Sequence, residues 1–238
     1  MITIADTEQA FDRQAASRVV EQICRKPDSV VGLSTGQTTK GMHRLLTEAY
    51  RAGRFDPSRV TFFGVDEVVN VPRSYAGSCY TLLRTELMDA LEVPDERFLM
   101  LPVEPERFED GAIAFQAELK RRGGIDLLVL GLGRNGHLGF NQPGTPFNSV
   151  TRLARMDEEL EARIRRETGI APQVKLFGAT LGLKDIMHAR ALLLTAKGEC
   201  KADIVKRMLE GDISPDVPAS ILQLHPNCEF LLQADATP

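Results

Sequence analysis

Residues 125–133, IDLLVLGLG, form a nearly continuous apolar run that stops at RNGHLGFNQPGTP, 134–146, a segment rich in glycine, asparagine and proline. A strand with no polar face to give to water belongs inside a sheet covered on both sides, which is the setting of parallel strands in α/β proteins. The segment after it is hard to extend as regular structure. In open α/β sheets, ligands bind beyond the carboxyl ends of the strands, where the strand order reverses. This strand and its loop therefore set both the expected fold and the first place to look for chemistry.

The flanking sequence alternates in kind. Apolar residues at helical spacing predict helices over 8–24, 38–51, 79–91, 107–122, 157–168 and 198–211, and the later half of 178–189 reads as a short helix. Short apolar runs predict strands over 29–34, 61–69, 97–102, 191–196 and 228–234, with 61–69 ending at the acidic pair Asp66 and Glu67. Alternation of this kind predicts α/β architecture, a single three-layer Rossmann-like domain with a mainly parallel central sheet. The 238 residues show no linker, repeat or low-complexity tract, so one domain over 1–238 is expected.

Several function classes are disfavoured. A net charge of −4 argues against a phosphate-backbone binder, so no nucleic-acid partner is expected. The four cysteines, at 24, 79, 200 and 228, form no C-x-x-C pair, and the four histidines, His43, His137, His188 and His225, propose no zinc site. Free thiols in a reducing cytoplasm fit this spacing. The first residues lack a cationic start followed by an apolar run, and no stretch reaches the roughly 20 apolar residues of a membrane span. A cytoplasmic enzyme with no membrane partner is the expectation.

Three loops fall at expected carboxyl ends of strands. Ser34, Thr35, Gly36, Gln37 and Thr38 can offer hydroxyls and backbone N–H groups to an anion at a helix N-terminus, although the same residues also suit a plain helix start. Asp66 and Glu67 can supply a carboxylate that removes a carbon-bound proton, if burial raises its pKa toward working pH; the alternative is a turn cap. Asn135, His137 and Gln142 share the glycine-rich loop, where His137 can exchange a proton near neutrality. Lys201 joins them if helix 198–211 starts beside the same loops, and otherwise faces solvent.

Taken in order, LSTGQTTKG, FFGVDEVVNVPRSYAGSCY, LLVLGLGRNGHLGFNQPG and LLLTAKGECK resemble the glucosamine-6-phosphate deaminase/isomerase family, from about residue 10 to residue 230. RNGHLG, ATLGLKDIMHAR and VPASILQLHPN are most similar to its galactosamine-6-phosphate branch. The 6-phosphogluconolactonases share the fold. The resemblance implies conversion of a 2-amino-2-deoxyhexose 6-phosphate into a ketose 6-phosphate and ammonia, without a metal or organic cofactor. It implies that galactosamine 6-phosphate would yield tagatose 6-phosphate, and glucosamine 6-phosphate would yield fructose 6-phosphate. Carried onto this chain, it makes Asp66 the base that moves a proton from C2 to C1, and His137 the group that opens the sugar ring. It places the phosphate on Ser34, Thr35, Gly36, Gln37 and Thr38, with Lys201 and an arginine, Arg165, completing the clamp.

Two residues depart from the family's glucosamine branch, which has an aspartate at the place of Asn135 and a glutamate at the place of Gln142. Neutral amides there should lower the pKa of His137 relative to the family pattern. The departures leave open an isomerase or hydrolase for another sugar phosphate, or a sugar-phosphate-binding protein with weakened turnover. A monomer and a small homo-oligomer are both compatible with the sequence.

Overall fold

The computed structural model describes residues 1–72 and 74–237. Its strands are β1 (Ile2–Ala5), β2 (Val30–Leu33), β3 (Thr61–Gly64), β4 (Asp66–Val69), β5 (Phe98–Leu99), β6 (Leu127–Gly131), β7 (Arg152–Ala154), β8 (Phe177–Thr180), β9 (Leu192–Ala196) and β10 (Cys228–Gln233). Its α-helices are α1 (Glu8–Arg25), α2 (Gln37–Arg51), α3 (Cys79–Leu83), α4 (Phe108–Arg121), α5 (Glu158–Thr168), α6 (Leu183–Met187) and α7 (Ala202–Glu210).

Seven strands form one all-parallel sheet in the order β1-β10-β9-β6-β2-β3-β5. Its central strands are buried on both faces because neighbouring residues point to opposite sides. Val31, Phe62 and Val129 meet α1 and α2 through Phe11, Val19, Met42 and Leu46. Their neighbours Val30, Phe63 and Leu128 meet α4, α6 and α7 through Phe115, Ile186 and Val205. Gly32 is required where β2 crosses this core, since a Cβ there would overlap Leu128 and Phe63. The expected three-layer α/β domain is the observed one.

From β2 the chain runs outward through β3 to β5, then returns past β2 to β6 and continues to β9 and β10. The order therefore reverses between β2 and β6. This puts the loop after β2, residues 34–36, beside the loop after β6, at the crevice where such sheets bind ligands.

The run 61–69 is not one strand. β3 ends at Gly64 and β4 begins at Asp66 in a separate antiparallel sheet of order β4-β8-β7. Val65 makes the crossing: its N–H donates to Leu33 O in the main sheet, and its carbonyl accepts from Leu181 N. The expected helix 79–91 is α3 followed by a π-helical stretch, Arg84–Met88. Strands β1, β7 and β8 were not expected from the sequence.

Candidate active site

The loops after β2 and β6, the start of β4 and the turn before α7 enclose a cleft of about 600 Å3 lined by Ser34, Thr35, Thr38, Asp66, Asn135, His137, Gln142 and Lys201. Sequence-separated candidates thus share one cleft. Gly36 and Gln37 form the turn into α2 and are not among the residues lining the cleft. Gly36 is the N-cap of α2 at φ 120°, with no side-chain cap on the helix. The first N–H groups of α2 are therefore left for water or an anion, where the helix dipole favours negative charge. Ser34 Oγ donates to Val129 O at 2.7 Å, which ties this loop to β6.

Lys201 approaches the same end from a 3-10 turn, Glu199–Lys201. Its Nζ donates to Leu132 O at 2.6 Å, and burial together with nearby Arg134 lowers its pKa. Arg134 also lines the cleft. Its neighbourhood to Asn135 in the loop was the available signal for it.

Alternation along β4 sends Asp66 into the cleft and Glu67 away from it. Burial raises the pKa of Asp66 to about 6, opposed only by a hydrogen bond from Cys79. Glu67 is buried and accepts N–H bonds from Val68, Cys79 and Tyr80 at 2.7, 2.8 and 2.7 Å. Burial still pushes its pKa up to about 6. Of the acidic pair, one faces the cleft and the other fastens Cys79 and Tyr80 to β4.

Three glycines shape the His137 loop. A Cβ at Gly133 would overlap the imidazole, and one at Gly139 would press within 2.7 Å of Thr180 Oγ1 and 3.3 Å of Asp66 Oδ2. Gly136 and Gly139 hold φ of 85° and 56°, the left-handed region that favours glycine. Asn141, fully buried and not singled out by sequence reasoning, donates to Leu138 O and Leu181 O and accepts from Arg152 Nη1, all at 2.8 Å. Its amide fixes the loop's far side.

Asn135 and Gln142 set the state of the imidazole. Asn135 Nδ2 donates to Gln142 Oε1 at 2.9 Å, which leaves Asn135 Oδ1 to face His137 Nδ1 at 2.8 Å and His137 N at 3.2 Å. An amide oxygen only accepts, so Nδ1 carries the proton and Nε2 is the free acceptor. Burial first, and Lys201 second, lower the His137 pKa; Asp157 acts in the opposite direction. His137 is therefore a neutral imidazole near pH 7.

Arg165 stands apart. Its guanidinium donates to Glu161 Oε1 at 2.6 and 3.0 Å and to the carbonyls of Ala171 and Val174, so it closes the turn after α5 and does not line the cleft. The start of α5 instead brings Asp157, Glu158 and Glu159 to the rim. Among the described residues no group of three or more His, Cys, Asp or Glu is placed to hold a metal ion.

The sequence pattern described as glucosamine-6-phosphate isomerases/6-phosphogluconolactonase matches residues 4–230. The chain belongs to this family. A glucosamine-6-phosphate deaminase of Rhodopirellula baltica is 36% identical over 235 residues, 99% of this chain and 94% of that one. One from Lysinibacillus sphaericus is 35% identical over 226 residues, 95% of each. A solved structure of a monomeric glucosamine-6-phosphate deaminase superposes with a TM-score of 0.90 at 28% identity, covering 99% of this chain and 98% of that one. A 6-phosphogluconolactonase from Trypanosoma brucei, at 22% identity and a TM-score of 0.79 over 99% and 97% of the two chains, shares the fold. This deaminase/isomerase family member is thus an enzyme of amino-sugar-phosphate chemistry. The expected assignment to a galactosamine branch is not singled out by these relatives.

Proposed function

We propose that the protein converts a 2-amino-2-deoxyhexose 6-phosphate and water into the corresponding ketose 6-phosphate and ammonia, using Asp66 as the base. One observation carries the reading: a carboxylate whose pKa is raised to about 6 lines the same cleft as an uncapped helix N-terminus and Lys201. A carboxylate at that pKa is ionised near neutrality and still a useful proton acceptor. The phosphate sits on the Ser34–Thr38 turn, with Lys201 adding a charge.

His137 Nε2 takes the anomeric hydroxyl proton and passes it to the ring oxygen as the C1–ring-oxygen bond breaks, which gives the open-chain aldehyde. Asp66 then removes the C2 proton; the C2–H pair becomes the C1=C2 double bond, and the aldehyde oxygen takes a proton from solvent to become an enol hydroxyl, a proton given back when the C2 iminium is later hydrolysed. The same proton returns to C1, the nitrogen lone pair forms a C2=N bond, and water displaces ammonia to leave the C2 ketone. Atoms balance with one water consumed.

Glucosamine 6-phosphate is the first substrate to test, because relatives at 35–36% identity carry that name. Asn135 favours the galactosamine epimer as a second reading, since the galactosamine branch shares the RNGHLG segment. Assaying both epimers for ammonium and ketose phosphate, with Asp66→Asn alongside, tests the proposal. Stoichiometric products from either epimer, lost in Asp66→Asn, support it; full turnover by Asp66→Asn contradicts it. Turnover of a neutral aldose or lactone phosphate alone assigns the cleft to another sugar-phosphate reaction.

A further inference from the structure

Among the described residues, Asp66 accepts one side-chain hydrogen bond, and its donor is a thiol. Cys79 Sγ lies 3.5 Å from Asp66 Oδ1, and Thr35 Oγ1 donates to the same sulfur at 3.4 Å. The link runs from the anion loop, through α3, to the carboxylate. Its middle member is rigidly held: Glu67 accepts the N–H groups of Cys79 and Tyr80, and Ser78 caps α3 through the N–H of Thr81 at 3.1 Å. Cys79 is 7% exposed, which keeps it from acting as an accessible nucleophile.

We propose that Thr35 and Cys79 form a positioning link that fixes the Asp66 carboxylate for proton transfer. The inference rests on Asp66 being the base.

The choice of a thiol has a physical reason. Burial, Asp66 and Glu67 raise the Cys79 pKa well above the ordinary thiol value, so sulfur keeps its proton throughout the working range and always donates. An S–H is a weak donor. It can orient the carboxylate without the strong stabilisation of the anion that a hydroxyl or an N–H would give, and that stabilisation would lower the base's pKa.

Several titratable and charged groups surround Asp66. Glu67 shares its strand but faces the other way; His137 and Arg134 come from the loop after β6, and Lys201 from the turn before α7. Asp157, Glu158 and Glu159 come from the start of α5, and Thr180 from β8. Burial raises the pKa of Asp66 and the Cys79 hydrogen bond lowers it, while the charge of Asp66 in turn raises the pKa of Glu67.

The experiment measures kcat, KM and the pH dependence of kcat/KM for Cys79→Ser, Cys79→Ala and Asp66→Asn on the hexosamine 6-phosphate that the wild type turns over. Cys79→Ala should lower kcat about 10-fold with KM little changed and move the acid limb to higher pH. Cys79→Ser should restore most of kcat and move the acid limb to lower pH, because a hydroxyl donates more strongly. The opposite displacement of the two limbs is the signature that mere packing would not produce. Acid limbs coincident with wild type in both variants would overturn the link, whatever the change in kcat. Asp66→Asn separates the two claims: if it is inactive while the cysteine variants keep wild-type limbs, only the link falls; if it retains turnover, the base assignment falls and takes the link with it.

Discussion

Replacing Asp66 by asparagine should stabilise the fold at neutral pH while removing turnover. The carboxylate's pKa rises from 3.8 to about 6 because burial disfavours its charge. A group that binds its proton more tightly when folded adds stability that is fully present below its unfolded pKa and lost as pH rises through its folded pKa. Above pH 6 the wild type thus carries an ionised, desolvated carboxylate. At 1.36 kcal/mol per pKa unit, the shift amounts to about 3 kcal/mol for a dry site, and water on the open side of the cleft brings the expected gain of Asp66→Asn to about 2 kcal/mol. Urea unfolding at pH 8 and pH 4 measures it. The variant should be about 2 kcal/mol more stable than wild type at pH 8, and the difference should shrink to a few tenths at pH 4. An equal difference at both pH values, or a less stable variant at pH 8, would refute the desolvation argument.

Asn135→Asp puts a carboxylate on His137 Nδ1–H, so the imidazole pKa should rise by about one unit in an NMR titration; an unchanged pKa would mean that Asn135 Oδ1 does not hold the ring. Lys201→Met removes a cation from the end of the cleft proposed to hold the phosphate and should raise KM for the sugar phosphate about 10- to 100-fold, with a smaller effect on kcat. Steady-state kinetics with a parallel rise in the inhibition constant of inorganic phosphate would locate the loss there. Gly32→Ala drives a Cβ into Leu128 and Phe63 at the sheet centre, and should destabilise by about 2 kcal/mol or more in denaturant unfolding, without help from loop flexibility.

The central architecture was legible because its signals were strong. IDLLVLGLG is too apolar for anything but a doubly covered strand, and the reversal of order between β2 and β6 explains why glycine-rich loops distant in sequence meet. The small sheet was illegible for equally physical reasons. β7 has three residues, and β8 contains Gly178, because the Phe140 ring occupies the space a Cβ would need. The break at Val65 hides inside an apolar run, since the residue keeps one ladder bond while its carbonyl turns to Leu181. β1 reads weakly because Ile2 and Ile4 lie on an exposed edge, 54% and 55% accessible.

The cleft residues followed the same division. Asp66, Asn135, His137, Gln142 and Lys201 could be picked out by residue type and position after strands or before a helix. Arg165 could not be placed that way: a charged helix offers several arginines, and only folding shows that this one is engaged by Glu161 and two carbonyls. The role proposed for Cys79 rests on three-dimensional contacts with two other segments, which a lone cysteine in sequence does not announce.

The most direct test is incubation of the wild-type protein and Asp66→Asn with glucosamine 6-phosphate and, separately, galactosamine 6-phosphate, with ammonium and ketose 6-phosphate both quantified. The wild type should release the two products one for one from at least one epimer, and Asp66→Asn should release neither. Saturable binding of both epimers by the wild type without either product, or undiminished product formation by Asp66→Asn, would contradict the account.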